Sequence, residues 1–294
     1  MTAEERDGRA RRALVSNLSK LYRRAAATEE QRRICVAMLA EYATKSISHV
    51  GTLYKKLVES AQGATAEQKA IMCGRLCDSS VMRDELIDFL DKRFSAGGEG
   101  VSEGAVGRIA YVRNKRSDDI FLSLSKSFKG ARAHYGATFH ECCEAVNDGR
   151  CEYCLLPIEN SSDGKLYSFY SLLDRYELKI NKTVSVGNED DSQTVVFALV
   201  GKTVRLTGEC GQRLEFSVIS EDASFVSEMI RAADELGGAV SSVGTQPLEY
   251  DELRKRFYIS VDMRENSSPI PMALYVSLEY PRATPLGIYR VRSN

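Results

Sequence analysis

The stretch that decides the fold is Pro157-Ile-Glu-Asn-Ser-Ser-Asp-Gly164, which follows the apolar run Tyr153-Cys-Leu-Leu156. The apolar run is continuous rather than alternating, which is typical of a strand buried on both faces. Pro157 lacks a backbone N–H and has a fixed φ, so we expect it to end the strand. The polar residues after it precede a predicted helix, whose N-terminus favours anions, and ligands of open α/β sheets bind beyond the carboxyl ends of strands. The segment is therefore either a ligand-binding turn or a polar helix cap.

The surrounding sequence alternates between short apolar runs and amphipathic segments. The predicted strands are Arg108–Val112, Ala131–Tyr135, Tyr153–Ile158 and Leu178–Val186, and the predicted helices are Ile120–Phe128, Thr138–Asn147 and Leu166–Tyr176. Strands that alternate with helices at this spacing are typical of a parallel sheet covered by helices. We therefore expect a parallel α/β domain over residues 107–201.

A different order of elements follows in the last third of the chain. After a β-prone run at Thr194–Val200, the predicted strands are Arg213–Ser220, Ala239–Gly244, Arg256–Met263 and Leu286–Val291, with helices at Phe225–Leu236 and Met272–Glu279. From residue 212 onward the order is β-α-β-β-α-β, which is that of a ferredoxin-like sandwich. We expect a second, α+β domain over residues 212–294.

The first hundred residues have a helical pattern. Apolar residues recur at helical spacing from about Arg9 to Phe94, and no proline interrupts them. Thr65, with Gln68 three residues later, has the spacing of a capping box, so a helix is expected to begin there. The glycine-rich stretch Ser95–Gly100 is expected to be a flexible linker. Residues 1–100 are therefore predicted to form a separate helical region.

The composition argues against several classes of protein. The chain has 43% hydrophobic and 28% charged residues and a formal net charge of -1, which gives no electrostatic reason to expect nucleic acid as a partner. No apolar run is long enough to span a bilayer, and Glu4, Glu5 and Asp7 at the start argue against a signal peptide. We expect a cytoplasmic protein with reduced cysteines, although the Arg- and Ala-rich stretch after these acids leaves organellar import open.

A pair of cysteines raises the question of a metal site. Cys151 and Cys154 have the C-x-x-C spacing of zinc ligands. However, Cys154 falls inside the predicted buried strand, where cysteine is common as a small hydrophobic residue. We therefore predict no metal site.

Residues 151–173 resemble a known family signature. Cys151-Glu-Tyr-Cys-Leu-Leu-Pro-Ile-Glu-Asn-Ser-Ser-Asp-Gly164 is similar to the Asp-Tyr-x-Val-Val-Pro-Ile-Glu-Asn-Ser-x-x-Gly signature of prephenate dehydratases. The resemblance implies a two-lobed fold like that of periplasmic binding proteins. It also implies the conversion of prephenate to phenylpyruvate, with loss of water and carbon dioxide and without a cofactor or metal. By the same resemblance the substrate-binding residues are Glu159, Asn160 and Ser161.

The sequence departs from this family in three places. In place of a Gly-Pro-x-Gly-Thr-Phe-Ser loop it has Arg113–Asp119, without either glycine, which hinders close approach of the backbone to a ligand. After Val186 the chain passes almost directly to Thr194–Val200, so most of the second lobe is expected to be absent, and a site between two lobes needs both walls. The family's Thr-Arg-Phe motif, which supplies the catalytic hydroxyl, is replaced by Ser192-Gln-Thr-Val-Val196. Thr194 or Ser192 can replace the hydroxyl, but the arginine is missing.

Residues 213–291 resemble the ACT domain that follows the dehydratase domain in this family. Arg256-Phe-Tyr-Ile-Ser-Val-Asp262 and Leu286-Gly-Ile-Tyr289 are similar to its Phe-Tyr-Leu-Asp-Ile and Leu-Gly-Cys-Tyr segments. ACT domains pair sheet edge to edge, which hides open strands, and bind amino acids at the dimer interface. The resemblance thus implies a homodimer and a phenylalanine-like effector. Gly244-Thr-Gln-Pro247 stands where the family has Glu-Ser-Arg-Pro, so the charged pair expected to hold the effector is missing. The implied effector residues are Asp222, Ala223, Thr245, Gln246 and Pro247.

Three hypotheses for the whole chain remain open. The first is a degenerate family member that binds prephenate, a phenylalanine-like ligand or a partner, with the ACT-like domain as a regulatory or dimerising unit. The second is a working dehydratase whose missing wall comes from another subunit or from the N-terminal helices. The third is a structural subunit of a larger assembly. Residues 9–94 stand where some family members carry a helical chorismate mutase domain, but a helical dimerisation unit is the plainer interpretation.

Overall fold

The computed structural model describes residues 62–77, 86–88, 90–91, 107–126, 128, 130–188, 191–203, 209–248 and 251–291. The helices predicted before residue 62, which make up most of the region where some family members carry a chorismate mutase domain, and the linker at 95–100 lie outside the described residues. Helix α1, Ala66–Cys77, begins directly after Thr65, the first residue of the predicted capping box. The Thr65 N–H donates to Gln68 Oε1 at 2.9 Å, and the Gln68 N–H donates to Thr65 Oγ1 at 3.3 Å, which confirms the predicted start of this helix.

A single sheet organises the described residues after α1. Its strands are β1 (Arg108–Val112), β2 (Arg132–Gly136), β3 (Tyr153–Asn160), β4 (Gly164–Lys165), β5 (Lys179–Asn188), β6 (Asp191–Gly201), β7 (Arg213–Ser220), β8 (Gly238–Leu248), β9 (Asp251–Met263) and β10 (Thr284–Tyr289). Its helices are α2 (Lys115–Ser125), α3 (Phe139–Asn147), α4 (Tyr167–Arg175), α5 (Phe225–Glu235) and α6 (Ile270–Glu279). The strand order is β2-β1-β3-β6-β5-β10-β7-β9-β8, and β4 pairs with β3.

Residues 107–203 form the part that we call the lobe. Strands β2, β1 and β3 are parallel, as predicted; α2 packs on one face of the sheet, and α3 and α4 pack on the other. The expectation of a wholly parallel lobe is wrong for β5 and β6, because β6 is antiparallel to both β3 and β5. Only two residues separate β5 from β6, and so short a connection joins antiparallel strands, whereas parallel strands need a long crossover.

The helix predicted at Ile120–Phe128 begins earlier than expected. It starts at Lys115, because Asn114 acts as its N-cap and the Asn114 side chain accepts a hydrogen bond from the Ser117 N–H at 2.9 Å. The segment that stands in place of the family's glycine-rich loop is therefore largely the first turn of a helix.

Pro157 does not end its strand. Strand β3 continues to Asn160, and its pairing with β6 shifts register between Pro157 and Glu159. A bulge of this kind accommodates a proline within a strand. The predicted burial of the strand on both faces is confirmed, because Cys154, Leu155 and Leu156 are each at most 1% exposed.

Residues 209–291 form the part that we call the ferredoxin-like unit. Its strands have the order β10-β7-β9-β8 and are all antiparallel, which is the arrangement expected of a β-α-β-β-α-β chain. Helices α5 and α6 cover one face and α1 packs beside them, with Leu76, Met229 and Tyr275 in one buried cluster. The predicted combination of an α/β lobe and a ferredoxin-like unit is confirmed.

The two units share one sheet at the contact between β5 and β10. These strands are parallel, and Gly287 pairs with Ile180. A Cβ at position 287 would lie 2.6 Å from the Ile180 carbonyl oxygen, so glycine is required for this approach. Tyr170 of the lobe shares a buried cluster with Tyr258 and Tyr289 of the ferredoxin-like unit. Side chains of the lobe and of the ferredoxin-like unit are therefore in direct contact.

Candidate functional site

The polar motif forms a hairpin turn at the end of β3. Glu159 pairs with Lys165 across β3 and β4, and residues 161–163 form the turn between the strands. The Ser161 N–H donates to the Thr194 carbonyl oxygen at 2.9 Å, and the Thr194 N–H donates to Ser161 Oγ at 3.0 Å. The structure thus places the candidate catalytic Thr194 directly beside the three candidate substrate-binding residues.

The Asn160 side chain is occupied within the turn. Its amide oxygen accepts hydrogen bonds from the Ser162 N–H at 3.0 Å and the Asp163 N–H at 2.5 Å. Its amide nitrogen donates to the Asp163 carboxylate at 2.8 Å. This is the local hydrogen bonding by which asparagine stabilises a turn. A ligand that uses the Asn160 amide would have to break these bonds.

Arg213, on β7, approaches the motif from the ferredoxin-like unit. Its Nη1 lies 3.9 Å from Glu159 Oε2, while its Nε and Nη2 contact the two Asp262 carboxylate oxygens at 2.5 and 2.9 Å. The Asp262 contact is bidentate, the stronger geometry for an arginine and a carboxylate. Burial alone raises the pKa of Asp262, but Arg213 outweighs it and holds that pKa below its ordinary value. The Arg213 charge is therefore already matched.

Lys165 forms a buried ion pair with Glu215. The Lys165 side chain is 9% exposed and the Glu215 side chain 1% exposed. Glu215 also accepts hydrogen bonds from Ser260 Oγ at 2.7 Å and from the Tyr170 hydroxyl at 3.0 Å. Burial alone raises the pKa of Glu215, but the Lys165 charge and these donors outweigh it, so the pKa lies below its ordinary value. Glu215 is thus a buried, ionised and fully paired carboxylate.

The charges around the turn are unfavourable for an anionic ligand. We use the name motif cluster for Lys165 and Arg213, the three carboxylates that contact them (Glu159, Glu215 and Asp262), and the turn carboxylate Asp163, which contacts Asn160. Both cations are paired with acids, and the carboxylates outnumber them. A dianion is bound where cations and backbone N–H groups are available to it, as they are in sites that recognise carboxylate or phosphate. The motif cluster lacks this surplus of positive charge.

The five implied effector residues lie at one end of the ferredoxin-like unit. On β8, Thr245 pairs with Phe257 and Pro247 with Lys255 of β9, and Lys255 also pairs with Ser220 at the end of β7. The loop that carries Asp222 and Ala223 follows Ser220, so it reaches the same end of the sheet as Thr245–Pro247. Strand β9 lies between the two groups, which puts them roughly 10 Å apart at the usual spacing of neighbouring strands.

A cavity lies on the opposite end of the ferredoxin-like unit. Its volume is about 520 Å³, and Ile71, Cys77, Cys210, Leu236 and Pro271 are among its lining residues. Among the described residues that line it, Glu235 is the one charged side chain, so the cavity does not suit a dianion either. In the described part of the chain no cluster of three potential metal ligands occurs, and Cys151 and Cys154 are both buried.

Comparison with known families identifies the segment around the motif. The sequence model described as prephenate dehydratase matches residues 122–187, from within α2 to nearly the end of β5. The sequence of this segment is therefore similar to that of prephenate dehydratases. The match contains Glu159, Asn160 and Ser161 but ends before Thr194 and before the ferredoxin-like unit.

Solved structures extend the likeness to the fold. The prephenate dehydratase of Streptococcus mutans has a TM-score of 0.51 at 16% identity, over 63% of this chain and 99% of that one. The quorum quenching acylase GqqA has a TM-score of 0.50 at 19% identity, over 63% of this chain and 95% of that one. At such identities the likeness concerns the fold alone. A search of curated protein sequences found no match.

The segment similar to prephenate dehydratases is followed by a short connection from β5 to β6. This is the point at which the sequence predicts that most of the second lobe is absent. Strand β5 ends at Asn188 and β6 begins at Asp191, so two residues connect them. The side chains that approach Glu159 from across the turn come instead from the ferredoxin-like unit, through Arg213 on β7 and its partner Asp262 on β9. In the described residues, the side chain that approaches Glu159 from across the turn is therefore an arginine already paired with an acid.

Sequence reasoning missed the buried half of the motif cluster. Glu215 lies in a strand predicted from its alternating pattern, and a glutamate in such a strand is expected to face the solvent. Lys165 directly follows the prephenate dehydratase signature and also reads as solvated. Only their pairing, across 50 positions of sequence, makes their burial tolerable. The one available signal was an acid in the middle of an otherwise apolar run, Leu214-Glu-Phe216.

The described part of the chain contains no helix that combines the length and apolar character needed to cross a bilayer. None of its seven described cysteines is in a disulfide.

Proposed function

We propose that the protein is a non-catalytic member of the prephenate dehydratase family that serves as a ligand-binding, regulatory or dimerising protein. The observation that carries this proposal is the charge balance of the motif cluster, in which Lys165 and Arg213 are already paired with Glu215 and Asp262. Catalysis by a prephenate dehydratase needs stabilisation of a dianionic substrate as it loses water and carbon dioxide. Paired cations surrounded by surplus carboxylates do not supply that stabilisation.

The two-residue connection between β5 and β6 supports the same proposal. A substrate held against one wall is neither oriented against a second set of groups nor shielded from water. The Asn160 amide, which the family resemblance assigns to substrate, is engaged with Asp163 and with turn N–H groups. Each group that could bind prephenate would thus have to give up an internal partner first.

The test is steady-state production of phenylpyruvate from prephenate at neutral pH by the purified full-length chain. We expect no rate above that of prephenate alone. The variants are Asn160→Ala, which removes the motif amide, and Ser162→Ala, which changes a neighbouring exposed turn residue outside the substrate motif. A rate that disappears in the first variant and persists in the second would contradict the proposal and favour a dehydratase completed by other residues. Stoichiometric co-purification of other proteins would instead favour a structural subunit.

We further propose that the ferredoxin-like unit is ACT-like and binds a phenylalanine-like amino acid near Asp222, Ala223 and Thr245–Pro247. The proposal is supported by the strand order of the unit, which is that of a β-α-β-β-α-β sandwich. It is also supported by the position of the Asp222–Ala223 loop and Thr245–Pro247 at the same end of the sheet. A ligand that binds only the native state raises its stability by an amount that grows with the ratio of concentration to Kd, about 2.7 kcal/mol at a hundredfold excess. A concentration-dependent rise in Tm with L-phenylalanine, absent with L-alanine, is the expected result; no rise at any concentration would contradict it.

We propose that dimerisation uses the outer edge of β8. This strand is the last of the sheet, so its outer backbone groups have no partner strand in the described residues. Unpaired strand edges are natural sites for pairing with another chain. A second copy that pairs β8 with β8 would extend the sheet symmetrically. Light scattering of the full-length chain should then give about twice its 32.7 kDa mass.

A further inference from the structure

One side of helix α4 packs on the sheet of the ferredoxin-like unit. We call Tyr167, Tyr170, Ser171 and Asp174 the α4 contact face; their spacing of three and four residues puts them on one side of a helix. Ser168, one position beyond Tyr167, is exposed. The contact face reaches three strands, because Tyr170 bonds to Glu215 on β7, Ser171 to Gln246 on β8, and Asp174 to Arg256 on β9.

Gly244 allows this approach. A Cβ at position 244 would overlap the phenol ring of Tyr167, which stacks on Tyr258 with ring centroids 5.7 Å apart and planes inclined by 25°. Glycine at 244 is therefore what lets an aromatic ring of the lobe lie flat against β8, next to the residues that we propose bind an amino acid.

Gln246 is shared between the helix and the proposed ligand site. Its side-chain oxygen accepts a hydrogen bond from Ser171 Oγ at 2.7 Å. The Tyr258 hydroxyl lies 3.2 Å from the same oxygen and 2.6 Å from Asp174 Oδ2, and its single proton serves the closer carboxylate. Ser171 is therefore the closer hydrogen-bond donor to the Gln246 oxygen, and the Tyr258 hydroxyl lies beside it. An ammonium group that donates to this oxygen would compete with Ser171 for it.

Helix α4 is also tied directly to the motif turn. The Leu166 N–H, just before the helix, donates to the Ile158 carbonyl oxygen at 2.8 Å, and Lys165 donates to the Tyr170 hydroxyl at 3.1 Å. The turn that carries Asn160 and Ser161 lies between Ile158 and Leu166, so a shift of α4 moves one end of it.

We propose that the Ser171–Gln246 hydrogen bond is a latch that an amino-acid ligand on β8 opens, which loosens helix α4 and with it the turn at residues 160–164. The inference rests on the proposed ligand-binding function of β8 and adds its regulation. The ligand's ammonium group takes the Gln246 oxygen that Ser171 leaves. Ligand binding and docking of α4 then compete, and each weakens the other by the same factor.

The experiment compares the full-length wild-type chain with Ser171→Ala, which removes the latch, and with Ser168→Ala, the matched exposed serine of the same helix. Two quantities are measured: the Kd of L-phenylalanine by calorimetry, and amide hydrogen exchange of residues 160–166. In S171A we expect a Kd about two- to tenfold lower than in the wild type, which is the effect of removing one competing hydrogen bond. We expect faster exchange in S171A without ligand and in the wild type with ligand, while S168A matches the wild type.

The outcomes separate the latch from the proposed ligand site. If L-phenylalanine binds wild type and S171A equally, the latch is refuted and the ligand site stands. If L-phenylalanine binds neither chain but S171A still speeds exchange at 160–166, the ligand site fails, whereas the mechanical link between α4 and the turn holds. Unchanged exchange in S171A would overturn that link whatever the ligand does.

Discussion

The buried pair of Lys165 and Glu215 gives the most exacting test of how the two units are joined. Lys165→Met keeps most of the length of the side chain and removes its charge. Glu215, 1% exposed, then keeps hydroxyl donors, among them Ser260 at 2.7 Å and Tyr170 at 3.0 Å, but loses its paired cation. An ionised carboxylate that is buried without a cation in direct contact is strongly disfavoured.

The expected loss is large because only one partner of the pair is removed. Breaking a buried ion pair in this way costs about 3–5 kcal/mol, whereas replacing both partners costs much less. K165M should therefore lower the free energy of unfolding by that amount, a shift of about 1–2 M in the urea midpoint. Adding Glu215→Gln removes the stranded charge and keeps an acceptor for both hydroxyls, so the double variant should regain at least half of the loss.

A matched substitution at a more exposed pair serves as the control. Lys69 pairs with Glu279, and their side chains are 16% and 23% exposed. Partly exposed pairs contribute roughly 1 kcal/mol or less. Lys69→Met should thus shift the urea midpoint only slightly. If K165M shifts it no more than Lys69→Met does, or if the double variant is less stable than K165M, the reasoning about a buried, charge-matched cluster is wrong.

Three further predictions concern other parts of the molecule. Gly244→Ala should cost roughly 1–3 kcal/mol of unfolding free energy through overpacking against Tyr167, and combination with Tyr167→Ala should be less than additive by more than about 0.5 kcal/mol in urea unfolding. Because the folded-state pKa of Glu215 lies below its ordinary 4.5, the stability that its ionised form contributes is present above pH 4.5 and is lost as the pH falls through the folded-state pKa. The free energy of unfolding of Glu215→Gln should therefore depend less on pH over this acidic range than that of the wild type. Val243→Lys, at a position on β8 that is 40% exposed, should halve the mass measured by light scattering if β8 forms the dimer, whereas Ile230→Lys, at a position on α5 that is 50% exposed, should not.

The parts of the fold that follow from local pattern were predictable from the sequence. The continuous apolar run before Pro157 predicts a strand buried on both faces, and the structure has one. The order of apolar runs after residue 212 predicts the ferredoxin-like unit, whose strand order follows from the connections. Thr138, the first residue of a predicted helix, is the N-cap of α3, with its hydroxyl oxygen accepting from the Glu141 N–H at 3.1 Å.

Features that depend on distant pairing were not predictable in the same way. The bulge that carries β3 past Pro157 depends on the register of β6, which lies some forty residues later. The joining of the two units into one sheet depends on Gly287 meeting Ile180. The electrostatics of the candidate site depend on Arg213 and Glu215, which no motif points to, because a single sequence does not show which charges meet across a fold.

The central proposal is that the segment similar to prephenate dehydratases does not carry out that reaction in this chain. The most direct measurement is a single-turnover experiment at neutral pH, with full-length protein in molar excess over prephenate and the product quantified by chromatography over hours. Under these conditions even a very slow reaction leaves a trace. The account predicts phenylpyruvate at the level of a protein-free sample, unchanged in Glu159→Ala. Stoichiometric conversion by the wild type that Glu159→Ala abolishes would contradict it.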